Sequence, residues 1–276
     1  MQRIKLVAVD LDDTLLRDDL TISEYTQEIL RRVRESGVVV TISTGRMLPS
    51  ARPYAEQLGF DVPIITYQGA LVKSVFSGEV IYECPLNEEV ARLAIQYCRK
   101  KGIHVNYYLE DRLYVERVTP VGEHYEQLSG VPFTRVDDLE ELLEAGLPYK
   151  LLIIQEEQLI DQSLQELREI LQKEGLDAHL TISKPTYLEV NHTQATKGTA
   201  LKKLADWLGV SREEVMACGD SFNDLEMLDF AGCSVAVANA YPEVLSKAKY
   251  ITSSNNEDGV ARALVKLVLR SAETSP

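Results

Sequence analysis

Asp10-Leu11-Asp12 and Gly219-Asp220-Ser221-Phe222-Asn223-Asp224 stand far apart in a chain of 276 residues, and each closes a short apolar run. Leu6-Val7-Ala8-Val9 precedes the first and Val215-Met216-Ala217-Cys218 the second. An apolar run ended by a turn reads as a strand covered on both faces, the pattern of a parallel sheet. Ligands of open α/β sheets bind just beyond the carboxyl ends of such strands. Two ends that open into aspartates would therefore gather several carboxylates around one point. Crowded carboxylates repel one another unless a cation lies among them, and hard oxygen ligands suit Mg2+.

The residue types suggest a particular chemistry. A carboxylate facing a phosphoryl group can attack in line and form an aspartyl-phosphate. A second carboxyl nearby can protonate the leaving oxygen and later take a proton from water. Asp10 and Asp12 lie two apart at a strand end, so one turn can aim both into one pocket. Thr41-Ile42-Ser43-Thr44-Gly45-Arg46 closes another strand, where a hydroxyl and a glycine amide at a helix start would cradle an anion. Thr44 taken alone also reads as a plain helix N-cap. Lys197, in Ala195-Thr196-Lys197-Gly198, opens a helix at the end that disfavours a cation. A lysine aimed at phosphoryl oxygens and at the nucleophile would explain that placement. Asp220 follows its strand directly, as a metal ligand would. Asn223 and Asp224 at the next helix start can reach substrate oxygens or metal-bound water.

The elements that must position these groups alternate strand and helix. Ile4–Val9 is expected as a strand, Ser23–Glu35 as a helix stopped at Gly37, and Val38–Ile42 as a β-branched strand. Met47–Leu58 reads as a helix and Pro63–Thr66 as a third strand, and repeated βαβ units imply parallel strands. Ala70–Val75 and Glu79–Glu83 flank Ser77-Gly78 as a hairpin. The texture then changes. Asn87–Lys101 is helical, and His104–Tyr108 pairs with Arg112–Arg117 across Glu110-Asp111. Lys150–Gln155 is a strand, Gln158–Lys173 a helix, and His179–Ser183 with Tyr187–Val190 a second hairpin around Lys184-Pro185. After Lys197 the βα rhythm returns: helix Lys197–Leu208, strand Val215–Cys218, helix Asn223–Phe230, strands Ser234–Ala238 and Tyr250–Thr252, helix Asp258–Arg270. The tail Ser271–Pro276 should fray. The expected architecture is a doubly wound, Rossmann-like parallel-sheet α/β core over residues 1–83 and 191–276. An α+β domain over residues 84–190 is inserted into it.

Composition narrows the function classes. A net charge of −14 argues against nucleic-acid or anionic-membrane partners, though not against an anionic substrate beside a local cation. No run approaches the roughly 18 apolar residues that span a bilayer. Ile4–Val9 is too short and wrongly flanked for a signal peptide. Cys84, Cys98, Cys218 and Cys233 show no metal-binding spacing and suit a reducing cytoplasm.

Asp10-x-Asp12-x-Thr14, Thr44, Lys197 and Gly219-Asp220-x-x-Asn223-Asp224, in that order, resemble the four motifs of the haloacid dehalogenase (HAD) superfamily. The insertion between the Thr44 and Lys197 motifs resembles a C2B-type cap. Ser43-Thr44-Gly45-Arg46, Lys197-Gly198-x-Ala200-Leu201, Asp224-Leu225-Glu226-Met227-Leu228 and Asn256-Glu257-Asp258-Gly259-Val260 are similar to the Cof-type, subclass IIB phosphatases. The resemblance covers essentially the whole chain. It implies that Asp10 is the nucleophile and Asp12 the general acid/base. It also implies Mg2+ held by the Asp10 carboxylate, the Asp12 carbonyl and Asp220, with Asp224 nearby. Thr44, Gly45, Lys197, Asn223 and the Leu11 amide would hold phosphoryl oxygens. Arg46 is placed to reach substrate or cap, or to pair with a surface acid. Three departures stand out. Asp13 occupies a frequent glycine position, Gln68 replaces a common asparagine, and Ala238-Asn239-Ala240 carries alanine where glycine is usual.

The implied activity is hydrolysis of small phosphorylated metabolites, sugar or cofactor phosphates, as a phosphoric monoester hydrolase. Sugar phosphomutase chemistry on the same machinery is an alternative, and a non-catalytic phospho-accepting signalling module is another. On the cap, His104, Asn106, Tyr108, Tyr114, Lys184 and Tyr187 are candidate substrate contacts, although ordinary sheet packing or surface placement is the favoured account of each.

Overall fold

A computed structural model describes residues 3–59 and 61–269. The expected frayed tail, and Arg270 at the end of the last expected helix, lie outside the described residues. The chain forms two compact units. One comprises the residues up to Arg46, Ala51–Tyr82 and the stretch from Thr196 onward, and the other Met47–Ser50 with Glu83–Ala195.

The first unit opens with β1 (Leu6–Val9), followed by α1 (Glu24–Glu35), β2 (Val39–Ile42), α2 (Leu48–Gln57), β3 (Pro63–Thr66), β4 (Leu71–Ser74) and β5 (Val80–Glu83). Local chemistry sets these boundaries. The Ser23 side chain accepts from the Thr26 amide to cap α1, whose Ile29, Leu30 and Val33 are buried. Gly37, at φ +87°, then turns the chain into β2. β3 differs from the simple parallel expectation. It pairs antiparallel with β4 and meets the β2 side through the parallel bridge of Ser43 with Ile65, where the Thr44 amide donates to the Ile65 carbonyl and Thr41 Oγ1 to the Pro63 carbonyl. Tyr67 and Gln68, both at positive φ, reverse the chain there.

The second unit carries α3 (Glu88–Lys101), β6 (His104–Leu109), β7 (Arg112–Val115), α4 (Pro120–Ser129), β8 (Phe133–Arg135), α5 (Leu142–Ala145), β9 (Lys150–Ile154), α6 (Glu157–Lys173), β10 (His179–Lys184) and β11 (Tyr187–Asn191). Its six strands run in the order β10-β11-β9-β6-β7-β8. Glu110 and Asp111, both at positive φ, make the tight β6–β7 turn. β8, not anticipated from the sequence, adds in parallel to β7. Val105, Tyr107, Leu151, Ile153, Leu188 and Val190 point to one face and form a core with the apolar stripes of α3 and α6. Tyr114, a candidate substrate contact, lies opposite Tyr107 and packs against this helix-side core. Near the entry and exit of this unit, Cys84 Sγ lies 3.1 Å from His192 Nδ1.

The chain then completes the first unit with α7 (Lys197–Leu208), β12 (Val215–Gly219), α8 (Leu225–Phe230), β13 (Cys233–Ala236), α9 (Pro242–Lys247), β14 (Tyr250–Ile251) and α10 (Gly259–Leu264). The α8 and α10 segments are shorter than expected. A 3-10 turn takes up Phe222–Asp224, and a wider π-type turn follows α10 over Val265–Leu269. The parallel sheet has the order β14-β13-β12-β1-β2. The strand sequence steps outward in opposite directions from β1 and β12. With right-handed crossovers, that reversal puts helices on both faces and makes the β1/β12 boundary the topological switch point. No helix among the described residues is long and apolar enough to cross a membrane.

His104 of β6 is buried, accepts from Thr119 Oγ1 at its Nδ1 and reaches Asn106 Oδ1 through Nε2. Burial lowers its pKa from 6.5, so the fold favours the neutral ring. The stability this contributes is full above the unfolded value and is lost as pH falls through the folded one. The melting temperature should therefore drop on acidification below about pH 6.5. Circular-dichroism melts between pH 7 and 5 should show a shallower dependence for His104→Gln than for the natural chain.

Candidate active site

β1 and β12 are neighbours in register, with Val9 opposite Cys218, so Asp10 and Gly219-Asp220 leave the sheet side by side. The Asp10 amide donates to the Cys218 carbonyl at 3.0 Å, fixing the turn. Leu11, buried, opens a wide turn over Leu11–Leu15 in which Asp13 adopts φ +56°. Glycine or a short polar side chain tolerates that conformation, which accounts for the aspartate at a frequent glycine position. Asn239 Nδ2 donates to the Asp13 carbonyl and ties the turn to the β13 end.

Lys197 is almost fully buried at the first position of α7. Its Nζ donates to Asp10 Oδ1 at 2.7 Å and to Asp224 Oδ1 at 2.6 Å. Those contacts explain a cation at the wrong end of a helix, since the carboxylates outweigh the helix dipole at such distances. Burial works against the lysine's charge, yet Asp10 and then Asp224 more than offset it and hold its pKa above the usual value. Asp224 Oδ2 accepts from the amides of Asp220 and Ser221. A Cβ on Gly219 would come within 2.6 Å of the Asp224 side chain, so only glycine admits this approach.

Asp10, Asp220 and Asp224 each offer a carboxylate oxygen within 4.8 Å of the others. Burial pushes Asp10 well above its ordinary value, with Asp224 and Asp220 adding to the rise against the pull of Lys197. Asp220 is pushed up to about 6 by burial and by Asp224, while a hydrogen bond from Thr14 Oγ1 at 2.7 Å opposes the shift. Three buried carboxylates thus share one ammonium, and a hard cation with oxygen ligands fits that donor set. Lys197 and two amides take up the Asp224 oxygens. Asp10 and Asp220, each with one oxygen outside these bonds, are the residues that could hold a cation directly.

Asp12 is not part of this cluster. Its half-exposed carboxylate accepts from Arg46 Nε at 2.9 Å and Nη2 at 2.6 Å, a bidentate pair. Burial of Arg46 works against its charge, but the bonds to Asp12 reverse the effect and raise its pKa. The expected helix start at Thr44 is also corrected, because α2 begins only at Leu48. Thr44 is fully buried, and its Oγ1 accepts from the Arg46 amide at 3.1 Å, leaving its hydroxyl hydrogen for another acceptor. A Cβ on Gly45 would strike the Gln68 amide group. Gln68 in turn accepts from Asn223 Nδ2 at 2.9 Å, so the glutamine in place of asparagine orients Asn223.

The geometry therefore brings Asp10, Lys197, Asp220 and Asp224 together and places Asp12 on Arg46, with Thr44 and Gly45 in the same loop as Arg46. Sequence reasoning did not assign roles to Thr14 and Gln68 in this network. Thr14 lay inside the first motif, which was the available signal.

The profile for haloacid dehalogenase-like hydrolases matches residues 7–264. The chain belongs to this family. Two Bacillus subtilis (strain 168) relatives are each named 5-amino-6-(5-phospho-D-ribitylamino)uracil phosphatase. YcsE is 34% identical, with 96% of both chains covered, and YitU is 33% identical, with 94% of this chain and 96% of YitU covered. The structure of a haloacid dehalogenase-like hydrolase from Bacteroides thetaiotaomicron superposes with a TM-score of 0.86 at 30% identity, covering 96% of this chain and all of that one. The chain is a Cof-type phosphatase of this family, and the signalling alternative is set aside.

Because its folded pKa lies near 6 against 3.8 unfolded, ionised Asp220 opposes folding as pH rises between these values. In chelator-treated protein at pH 8, Asp220→Asn should melt a few degrees above the natural chain, a gap worth about 1–3 kcal/mol. Calorimetry should show the gap closing below pH 6.

Proposed function

We propose that this phosphatase is a Mg2+-dependent phosphomonoesterase that works through an aspartyl-phosphate on Asp10. The observation that carries this reading is the Lys197 ammonium bridging Asp10 and Asp224 at the switch point. With Oδ1 held by Lys197, the other Asp10 oxygen is oriented to attack phosphorus in line. As the P–O bond to the leaving alcohol breaks, Asp12 gives that oxygen a proton. Water then attacks the phosphorylated Asp10 and loses a proton to Asp12. The acyl-phosphate P–O bond breaks, releasing inorganic phosphate and restoring the Asp10 carboxylate and the protonated Asp12.

Thr44, Gly45, the Leu11 amide, Lys197 and Asn223 would hold the phosphoryl oxygens. Arg46 is a positioning residue for Asp12. Asp10, the Asp12 carbonyl and Asp220 would hold Mg2+, with Asp224 anchored beside them. When bound, the ion supplies charge neutralisation at the phosphoryl group. Residues 84–190 would serve as a cap that keeps water from the reaction. Small phosphorylated metabolites are the proposed substrates, sugar or cofactor phosphates in particular. The two relatives' name describes a phosphate carried on a ribityl chain. The excess negative charge of the chain argues against nucleic-acid partners. Four buried cysteines, with no disulfide among the described residues, suit a cytoplasmic enzyme.

Phosphate release should require Mg2+ and stop with EDTA. Asp10→Asn should abolish it, and Lys197→Ala should lower kcat by about 10²–10³-fold. Multiple turnovers by a folded Asp10→Asn protein would remove the nucleophile assignment. Arg46→Ala should cut kcat by roughly 10-fold or more, because it frees the acid/base.

A further inference from the structure

Two stretches that the reaction scheme leaves unused meet the chain just after β1. One is Asn255-Asn256-Glu257-Asp258, which leads into α10, and the other is Ala238-Asn239-Ala240, beyond β13. Asn255 is buried, and its Nδ2 donates to the Leu16 carbonyl at 3.0 Å and to Asp18 Oδ1 at 3.1 Å. Asp258 Oδ1 accepts from Arg17 Nη2 at 2.8 Å and from Ser23 Oγ at 2.6 Å. The loop before α10 thus grips the segment that follows the wide turn Leu11–Leu15.

Asn239 carries this grip into the turn itself. Its residue is exposed, yet its side chain is engaged at both ends. Oδ1 accepts from the Asn255 amide at 2.9 Å, and Nδ2 donates to the Asp13 carbonyl at 2.7 Å. Asp13 is left-handed, a conformation that is costly for an L-residue and persists only where its surroundings impose it. The bond to its carbonyl holds the peptide group beyond Asp13 in place and so opposes relaxation of the turn.

The acid/base depends on that turn. Arg46 holds the Asp12 carboxylate, while the main chain sets the direction in which the side chain leaves. On the other side of Asp13, Thr14 is fixed by its bond to Asp220. Asp13 is therefore the pivot between a segment tied to the buried carboxylates and a side chain aimed away from them. We propose that Asn239, itself oriented by Asn255, is a positioning residue for Asp12, locking the left-handed turn that delivers the acid/base to the leaving oxygen. This rests on the phosphomonoesterase reading and adds a residue to its proton transfer. In that step the bond from Asp10 to phosphorus forms, the bond from phosphorus to the alcohol oxygen breaks, and the Asp12 proton passes to that oxygen.

The test compares kcat/KM, which reports formation of the aspartyl-phosphate, for n-propyl phosphate and p-nitrophenyl phosphate. An alkoxide needs a proton to leave, whereas p-nitrophenolate departs without one. Asn239→Ala should lower kcat/KM for the alkyl ester about tenfold more than for the aryl ester, and Asp12→Asn should show the same selectivity more deeply. The amides of Leu15 and Leu16 close the turn on the Asp10 and Leu11 carbonyls. Hydrogen exchange of the peptide over residues 11–16 should run several-fold faster in Asn239→Ala. Equal losses on the two esters, no loss on either, or unchanged exchange would overturn the proposal. Equal losses in Asp12→Asn as well would remove Asp12 as the acid, and the proposal would fall with it. If the natural protein does not release phosphate from both esters, the phosphomonoesterase reading fails for these substrates. Exchange alone then decides: faster opening in Asn239→Ala supports the lock on the turn, and unchanged exchange overturns it.

Discussion

A single buried ammonium organises the catalytic end of this protein. Lys197 is taken out of water and set between Asp10 and Asp224, residues that the chain brings from the ends of two different strands. Desolvating such charges is expensive, and removing one partner from a buried pair typically costs about 3–5 kcal/mol. The triad is tolerable only if β1, β12 and the start of α7 are held in one fixed arrangement. The parallel register of β1 on β12 and the close approach at Gly219 supply that arrangement. The charge balance remains negative, and this is why the same geometry that strains the folded protein suits a cation.

The second constraint is directional. Because the strand order reverses between β1 and β12, the loops after them open away from each other and leave a crevice at the carboxyl end of the sheet. Asp10 and Asp220 occupy that opening through main-chain position alone. Asp12 sits two residues further on, where the wide turn and the left-handed Asp13 carry it out to Arg46. One short segment therefore supplies two carboxylates with different surroundings, one buried on an ammonium and one half-exposed on a guanidinium. Differences of that kind let two chemically identical groups take unlike roles.

Much of this was legible in the sequence, because apolar runs ending in acids mark strand termini. β1, β2, β12 and β13 fell close to their expected places, as did α1, α3 and α7, whose caps and glycines are explicit. The carboxylate cluster followed from the same signal. What was not legible depended on non-local pairing. β3 looked like any parallel strand until the reversal at Tyr67-Gln68 gave it an antiparallel partner. β8 is a three-residue strand with too little pattern to announce itself. Tyr114 needed a register to assign its face. Lys150 and Glu189, charged residues inside apolar strands, were visible but meet as an ion pair only when β9 and β11 are placed side by side.

The contact between Cys84 and His192 bears on how such a protein can change over time. It brings the first and last turns of the inserted unit next to each other, although more than a hundred residues separate them. A module whose two ends meet can be enlarged, trimmed or swapped as a cassette, because the break it leaves in the surrounding polypeptide is short. New specificities can then arise by recombination, with the charge machinery of the parallel sheet inherited intact.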